Sequence, residues 1–283
     1  MAATLWATSH RRRPPADALD QPAPETRRAM TRAVIGAVGA TALILMAFLV
    51  ASFRTGRPYT SPPHNDPLTI QVAGHQWWWE VHYADPVAHR RLTTANEIHI
   101  PVGRPVLLEL SSGDVIHSFW VPNLAGKRDL IPGYTSTLWL QADRPGIYRG
   151  QCAEFCGHQH ALMALYVVAE SPAVFNAWYE HELQPATRFT DSVRKRGGEV
   201  FQASACVMCH SISGTPAGSN VGPDLTHLAS RMTIAAGTLP NTRGTLAGWI
   251  LDPQAIKPGA KMPPNFIPSR DLQPLLSYLQ SLR

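Results

Sequence analysis

Two clusters of side chains in this sequence can do chemistry that ordinary packing residues cannot. The first is Gln151-Cys152-Ala153-Glu154-Phe155-Cys156-Gly157-His158-Gln159-His160-Ala161-Leu162-Met163. It sets two thiols four residues apart, an imidazole four further on and a thioether three beyond that. Soft sulfur with imidazole favours copper, zinc or iron–sulfur over magnesium or calcium. Another imidazole comes from Asp114-Val115-Ile116-His117-Ser118-Phe119-Trp120, 35 residues before Cys152. Two Cys, two His and one Met are enough for two ions sharing both thiolates. The second cluster is Cys206-Val207-Met208-Cys209-His210. At that spacing two thiols attach a c-type haem and the next imidazole ligates its iron.

Each cluster has plainer readings. A Cys152–Cys156 disulfide explains neither His160 nor Met163. A zinc site can use two Cys and two His but needs no Met. A mononuclear blue-copper site uses one Cys, two His and a long Met bond, leaving one thiol idle. His158 competes with His160 but breaks the spacing, and reads as a loop or interface residue. His64, His75, His82, His89, His99, His181 and His227 receive no metal role. For Cys206 and Cys209 the competing reading is a thioredoxin-like dithiol. The four cysteines form two close pairs and none is left over.

The elements that must position these groups can be read around them. Residues 33–53 form a run of 21 without a charge, long enough to cross a bilayer as a helix. A cleaved signal peptide would have a shorter apolar core ending at a small-x-small site, and Val50-Ala51-Ser52-Phe53 offers no clean one. Arg11, Arg12, Arg13, Arg27, Arg28 and Arg32 precede the run, against Arg54 and Arg57 after it. That bias places the N-terminus inside. Short strands are expected at 68–73, 76–83, 97–100, 105–110, 115–121, 136–141, 146–151 and 162–168. In Trp77-Trp78-Trp79-Glu80-Val81-His82-Tyr83 every odd position is apolar, the period of a half-buried strand. Many short strands at this spacing predict a β-sandwich or barrel. Ser171-Pro172 caps a helix, and Gln184-Pro185-Ala186-Thr187 forms a hinge. Helices are expected at 192–202, 225–232, 246–251 and 269–282.

The 283 residues are 45% hydrophobic and 16% charged, which excludes a disordered chain. The formal charge of +5 lies wholly in residues 1–57, with eight bases and three acids; the rest holds 17 of each. A nucleic-acid partner is therefore not expected.

The region 67–170 resembles the binuclear copper (CuA) domain of cytochrome c oxidase subunit II. Gly74-His75-Gln76-Trp77-Trp78-Trp79, the stretch 114–122, Lys127-Arg128-Asp129-Leu130-Ile131-Pro132-Gly133 and Pro145-Gly146-Ile147-Tyr148 fit that family in order and spacing. The resemblance implies a cupredoxin-like β-sandwich. It implies His117, Cys152, Cys156 and His160 as copper ligands, with Met163 and the backbone carbonyl of Glu154 as weak axial ones. It also implies that the Glu154 carboxylate faces a magnesium ion at the catalytic subunit. Trp77 becomes the point where electrons arrive, core packing being its plainer reading.

Gly222-Pro223-Asp224-Leu225 and Lys257-Pro258-Gly259-Ala260-Lys261-Met262-Pro263-Pro264 resemble the proximal and distal segments of small c-type cytochromes. That makes Met262 the sixth iron ligand, opposite His210. Met208 sits between the thioether cysteines and cannot reach the opposite face. Met232, its rival, reads as core, and Trp249 as packing against the haem. A Met/His pair raises the haem potential.

The expected chain is multi-domain: a disordered basic tail (1–32), one transmembrane α-helix (33–53), a linker (54–66), a cupredoxin-like β-sandwich (67–170), a helix and hinge (171–190) and an all-α c-type cytochrome domain (191–283). The expected role is a subunit of a haem–copper terminal oxidase. It would pass electrons from an external cytochrome or other donor, through haem c and CuA, to catalytic subunit I, with subunit III beside it. The expected location is the bacterial inner membrane, single-pass, with the N-terminus cytoplasmic and both domains periplasmic. A nitric oxide reductase subunit or a tethered non-enzymatic carrier could use the same groups. A quinol-oxidase subunit is disfavoured, since that relative lacks these copper ligands. The family commonly has two spans and one is read here. Residues 188–283 hold ten bases and five acids, whereas 66–168 hold seven and nine. Opposite signs on tethered domains predict salt-sensitive docking over Trp77.

Overall fold

The computed structural model describes residues 23–60, 67–187 and 189–283. The part of the expected tail over 1–22 and of the expected linker over 61–66 lies outside them. Two compact units divide the chain, Met1–Ser61 and Pro62–Arg283.

Among the described residues of the first unit, helix α1 runs Pro24–Thr60. It is longer than the expected span at both ends. Residues 24–32 are helical rather than tail, and 54–60 helical rather than linker. At the N-terminal end the cause is local: Pro24 suits the first turn of a helix, and Arg27, Arg28, Ala29, Met30 and Arg32 are all strong helix formers. The stretch Pro24–Gly56 is long and apolar enough to cross a membrane.

The second unit holds two apolar cores. The first lies between two five-stranded sheets. One sheet orders β3 (Leu92–Ala95), β2 (Trp78–Tyr83), β1 (Leu68–His75), β5 (Val106–Ser112) and β8 (Ser136–Leu140). The other orders β4 (Glu97–Pro101), β10 (Ala164–Glu170), β9 (Gly146–Cys152), β6 (His117–Trp120) and β7 (Arg128–Leu130). The period-2 pattern is realised: Trp79, Val81 and Tyr83 face inward on β2. β3 and β7 are strands that the sequence pattern did not suggest. Helix α2 (Pro172–Glu182) follows, with the Ser171 hydroxyl accepting from the Val174 N–H. Its Phe175 and Tyr179 join the sandwich core.

The second core is built mainly from α3 (Ser192–Ala203), α4 (Arg243–Leu251) and α6 (Ser269–Leu279), with the short α5 (Pro253–Ile256) beside α4. α3 and α6 cross so closely that a Cβ on Gly197 would lie 2.1 Å from the Pro274 carbonyl oxygen. The region is not wholly helical: β11 (Thr233–Ile234) pairs with β12 (Leu239–Pro240). The helix expected over 225–232 is only a single 3-10 turn, Leu228–Ser230. There the Asp224 side chain takes the Thr226 N–H at 2.8 Å, a local bond that competes with helix.

Candidate metal centres

Sheet pairing explains how the first cluster assembles. β9 and β6 are antiparallel neighbours with Phe119 opposite Cys152, which brings His117 at the start of β6 beside the end of β9. β10 returns beside β9, so residues 153–163 are the loop between two paired strands. The Cys152 N–H closes it on the Met163 carbonyl at 2.9 Å. Gly157 sits at φ +108, and a Cβ there would press to 3.1 Å on Trp77. Only glycine suits both demands.

The six expected copper-site residues lie together. The Cys152 and Cys156 sulfurs are 3.7 Å apart and unjoined. His117 Nδ1 is 3.8 Å from the Cys152 sulfur, and His160 Nδ1 is 3.6 Å from that of Cys156. The Met163 sulfur lies 3.9 Å from Cys156 Sγ, and the Glu154 carbonyl oxygen 3.2 Å from Cys152 Sγ. His117, Cys152, Cys156 and Met163 are buried, while the Glu154 side chain is exposed. Hydrogen bonding to Cys156 pulls the Cys152 thiol down toward the thiolate, with His117 helping against burial. Cys156 is driven up, because its proton is held in the hydrogen bond to Cys152, with burial and the neighbouring negative charge adding to the effect. A shared cation charge removes that conflict. The two thiols, two imidazoles and thioether suit soft ions of the copper class; one zinc would leave the thioether and the carbonyl idle.

Asp114 is the positioning residue that spacing did not single out. Its Oδ1 is 2.9 Å from His117 Nε2, which leaves Nδ1 facing the sulfurs. Burial works against its ionisation, yet hydrogen bonds from His117, the Gln76 and Val115 N–H groups and Lys261 hold it well below the usual carboxylate range. Ligating histidines are oriented by such outer partners.

In the second cluster, Cys206, Cys209, His210 and Met262 line one cavity with Phe201, Leu246, Trp249 and Leu275. His210 Nδ1 donates to the Pro223 carbonyl at 2.7 Å, leaving Nε2 free as a ligand. Burial keeps the imidazole neutral, the form that binds iron. Neither cysteine is in a disulfide. These groups and the apolar walls fit a haem, which Cys206 and Cys209 would hold covalently and His210 and Met262 would face. Met208 is exposed and Met232 does not line the cavity.

Gln76, Trp77 and Trp78 of the sandwich line the same cavity. The Trp77 Nε1–H donates to the Cys156 carbonyl at 2.9 Å, and the Gln76 amide to the same oxygen at 2.8 Å. From the other side comes the segment that carries Met262. Lys257, 2% exposed, donates from Nζ to the carbonyls of Trp77 (2.9 Å), Leu162 (2.9 Å) and Ala235 (3.2 Å). All three ammonium donors are thereby used. Burial pushes Lys257 down to about 8. Gln159 donates to the Pro258 carbonyl at 2.6 Å, and Lys261 pairs with Asp114 at 3.1 Å. At the other end of the contact, Glu97 on β4 takes the N–H groups of Met232 and Thr233 at 2.7 and 3.2 Å. Lys257 lay inside the motif quoted for Met262, but nothing in a linear sequence shows where a lysine ends.

A two-sheet sandwich holding a two-thiolate, two-imidazole cluster, joined to a helical region built around Cys-x-x-Cys-His, defines a cupredoxin-like domain linked to a c-type cytochrome domain. Residues 85–171 match the family described as cytochrome c oxidase subunit II, periplasmic domain, and residues 194–283 match cytochrome c. A cytochrome c oxidase subunit 2 from Alkalihalophilus pseudofirmus is 38% identical over 249 residues, covering 85% of this chain and 70% of the relative. The subunit 2 of Bacillus sp. strain PS3 is 32% identical over 229 residues, covering 76% of this chain and 62% of that one. The periplasmic domain of subunit II of the Bradyrhizobium japonicum cytochrome oxidase superposes with a TM-score of 0.40 at 30% identity, covering 43% of this chain and 96% of that one. The chain belongs to the cytochrome c oxidase subunit 2 family, and carries a cytochrome c domain at its C-terminal end. It is thus a subunit of an oxidoreductase complex, with copper and haem c binding implied.

Proposed function

We propose that this chain receives electrons for a haem–copper terminal oxidase and hands them to catalytic subunit I, where oxygen is reduced to water. Haem c and a binuclear copper centre, when bound, supply one-electron carriers that pass charge with little rearrangement. His117, Cys152, Cys156 and His160 would hold the copper pair, with Met163 and the Glu154 carbonyl as weak ligands. Cys206, Cys209, His210 and Met262 would hold the haem. Glu154, exposed beside Phe155, would present its carboxylate to a magnesium ion shared with subunit I. Helix α1 would anchor the chain in the bacterial inner membrane with its N-terminus inside, where the arginine bias favours it. Both folded domains would then lie outside, open to an external donor, with subunit III a further partner.

One observation carries this reading. Trp77 and Trp78 form a wall of the cavity that holds Cys206, Cys209, His210 and Met262, and Trp77 is hydrogen-bonded to the loop holding Cys152 and Cys156. A single aromatic side chain thus touches both candidate centres. Through that hydrogen bond Trp77 would keep the cysteine loop in register with the cavity.

The test is metal and haem analysis of the purified full chain with optical and electron paramagnetic spectra. Two coupled coppers and one covalent haem per chain are expected. A lone zinc, or a Cys152–Cys156 disulfide under metal-replete conditions, would overturn the copper assignment. Oxygen against nitric oxide consumption by the assembled complex separates this reading from that of a nitric oxide reductase.

A further inference from the structure

Three ligand-type side chains converge at the joint between α2 and the haem-domain region, away from both centres. His181 and Glu182 end α2, and His227 lies in the loop after Leu225. One ligand atom from each falls within 4.8 Å of the others. Glu182 Oε1 is 4.0 Å from His227 Nδ1 and 3.8 Å from His181 Nδ1. Those separations are too long for hydrogen bonds. They suit ligands around a cation with bonds of about 2.0–2.2 Å.

The burial makes the gap significant. Glu182 is 7% exposed and His227 4%. His227 Nε2 faces the carbonyls of Glu182 at 3.1 Å and Gln184 at 3.0 Å, so it must carry the proton and donate. Nδ1 then faces Glu182 and, among the described residues, has no hydrogen-bond partner. Metal-bound histidines are held by their other ring nitrogen in this way. The Glu182 carboxylate is the anionic member of the trio and turns Oε1 toward both imidazoles. Asp224 and Glu97 add negative charge nearby. The His181 side chain is 52% exposed, which leaves one side open for an ion to arrive and for water to complete its shell.

We propose that His181, Glu182 and His227 form a three-ligand site for a divalent ion of the zinc class, which staples the end of α2 to the haem-domain region. Two imidazoles and a carboxylate with a free position suit zinc, and the absence of sulfur disfavours monovalent copper. Spacing could not reveal the site, because 46 residues separate the two histidines. The site is independent of the copper and haem assignments, as it shares no ligand with either.

The test uses the tag-free full chain with its copper and haem loaded, so that the cysteines are occupied. Zinc is titrated against a chromophoric chelator, and cobalt(II) reports ligand geometry optically. One further saturable zinc per chain is expected, with a Kd raised at least tenfold in His181→Ala and in Glu182→Gln. Zinc should raise the unfolding temperature of the parent chain and of neither variant. His181 is exposed enough that His181→Ala keeps the fold even where a change at His227 does not. No additional zinc site, or a Kd that changes less than tenfold in His181→Ala, overturns the proposal.

Discussion

The Lys257 ammonium donates to the Trp77 carbonyl at 2.9 Å, across 180 residues of sequence. Its other bonds go to Leu162, beside Met163, and to Ala235. One buried cation thus ties the segment carrying Met262 to both the tryptophan and the cysteine loop. Replacing Lys257 with Met keeps the length and leaves three carbonyls without their donor. The expected loss is ~1–3 kcal/mol of stability, read by denaturant unfolding. Reduction of copper after the haem is reduced should slow about tenfold in rapid-mixing experiments. An unchanged rate would show that the clamp does not set the contact.

Trp77→Phe keeps a ring and removes the N–H that holds the Cys156 carbonyl. The internal transfer rate should fall about tenfold, with the copper spectrum nearly unchanged. Trp78→Phe should have a smaller effect, since no bond from Trp78 to the cysteine loop is present in the geometry described. Equal effects from both would favour simple packing.

Gly74 and Gly222 each lie against a candidate metal histidine. A Cβ on Gly74 would come to 2.8 Å from His117 Cδ2, and one on Gly222 to 2.9 Å from His210 Cε1. Gly74→Ala should disturb the copper spectrum and spare the haem; Gly222→Ala should do the reverse. A variant that alters both spectra equally would point to general unfolding.

Glu80 is lowered to about 2 from 4.5 by hydrogen bonds from His75 and His82, which overcome its burial. A carboxyl depressed in the folded state stabilises it above its unfolded value, and that stability is lost as pH falls toward 2. Between pH 5 and 2 the parent chain should lose about 2 kcal/mol more than Glu80→Gln. Parallel unfolding curves for the two would remove Glu80 from the account.

The opposite charges of the two halves suggested salt-sensitive docking, yet the contact is pinned largely by buried groups. Lys257 and Glu97 bond to backbone, and salt screens buried charges weakly. Among the charged side chains in this contact, Lys261, paired with Asp114, is the well-exposed one. Raising salt from 0.05 to 0.5 M should therefore change the internal transfer rate by no more than about twofold. A steep fall would restore docking by long-range charge.

That the six candidate copper residues lie together was legible because one loop and one neighbouring strand supply all of them, and their spacing survives in linear order. Cys206, Cys209 and His210 were legible for the same reason. The sandwich showed through the alternation in β2, but β3 and β7 are short edge strands with no clear period. The helix expected over 225–232 failed where the Asp224 side chain captured the Thr226 N–H. The wall that Gln76, Trp77 and Trp78 lend to the haem cavity depends on tertiary contact, and so does the reach of Lys257. Neither leaves a trace in spacing.

Residues 257–262 serve two masters: they carry Met262 to the haem side and anchor in the sandwich through Lys257 and Lys261. The C-terminal half is therefore a poor interchangeable cartridge. A chimera that grafts a foreign cytochrome here must match that segment to its new host, or the two redox halves will share a chain without sharing a seam.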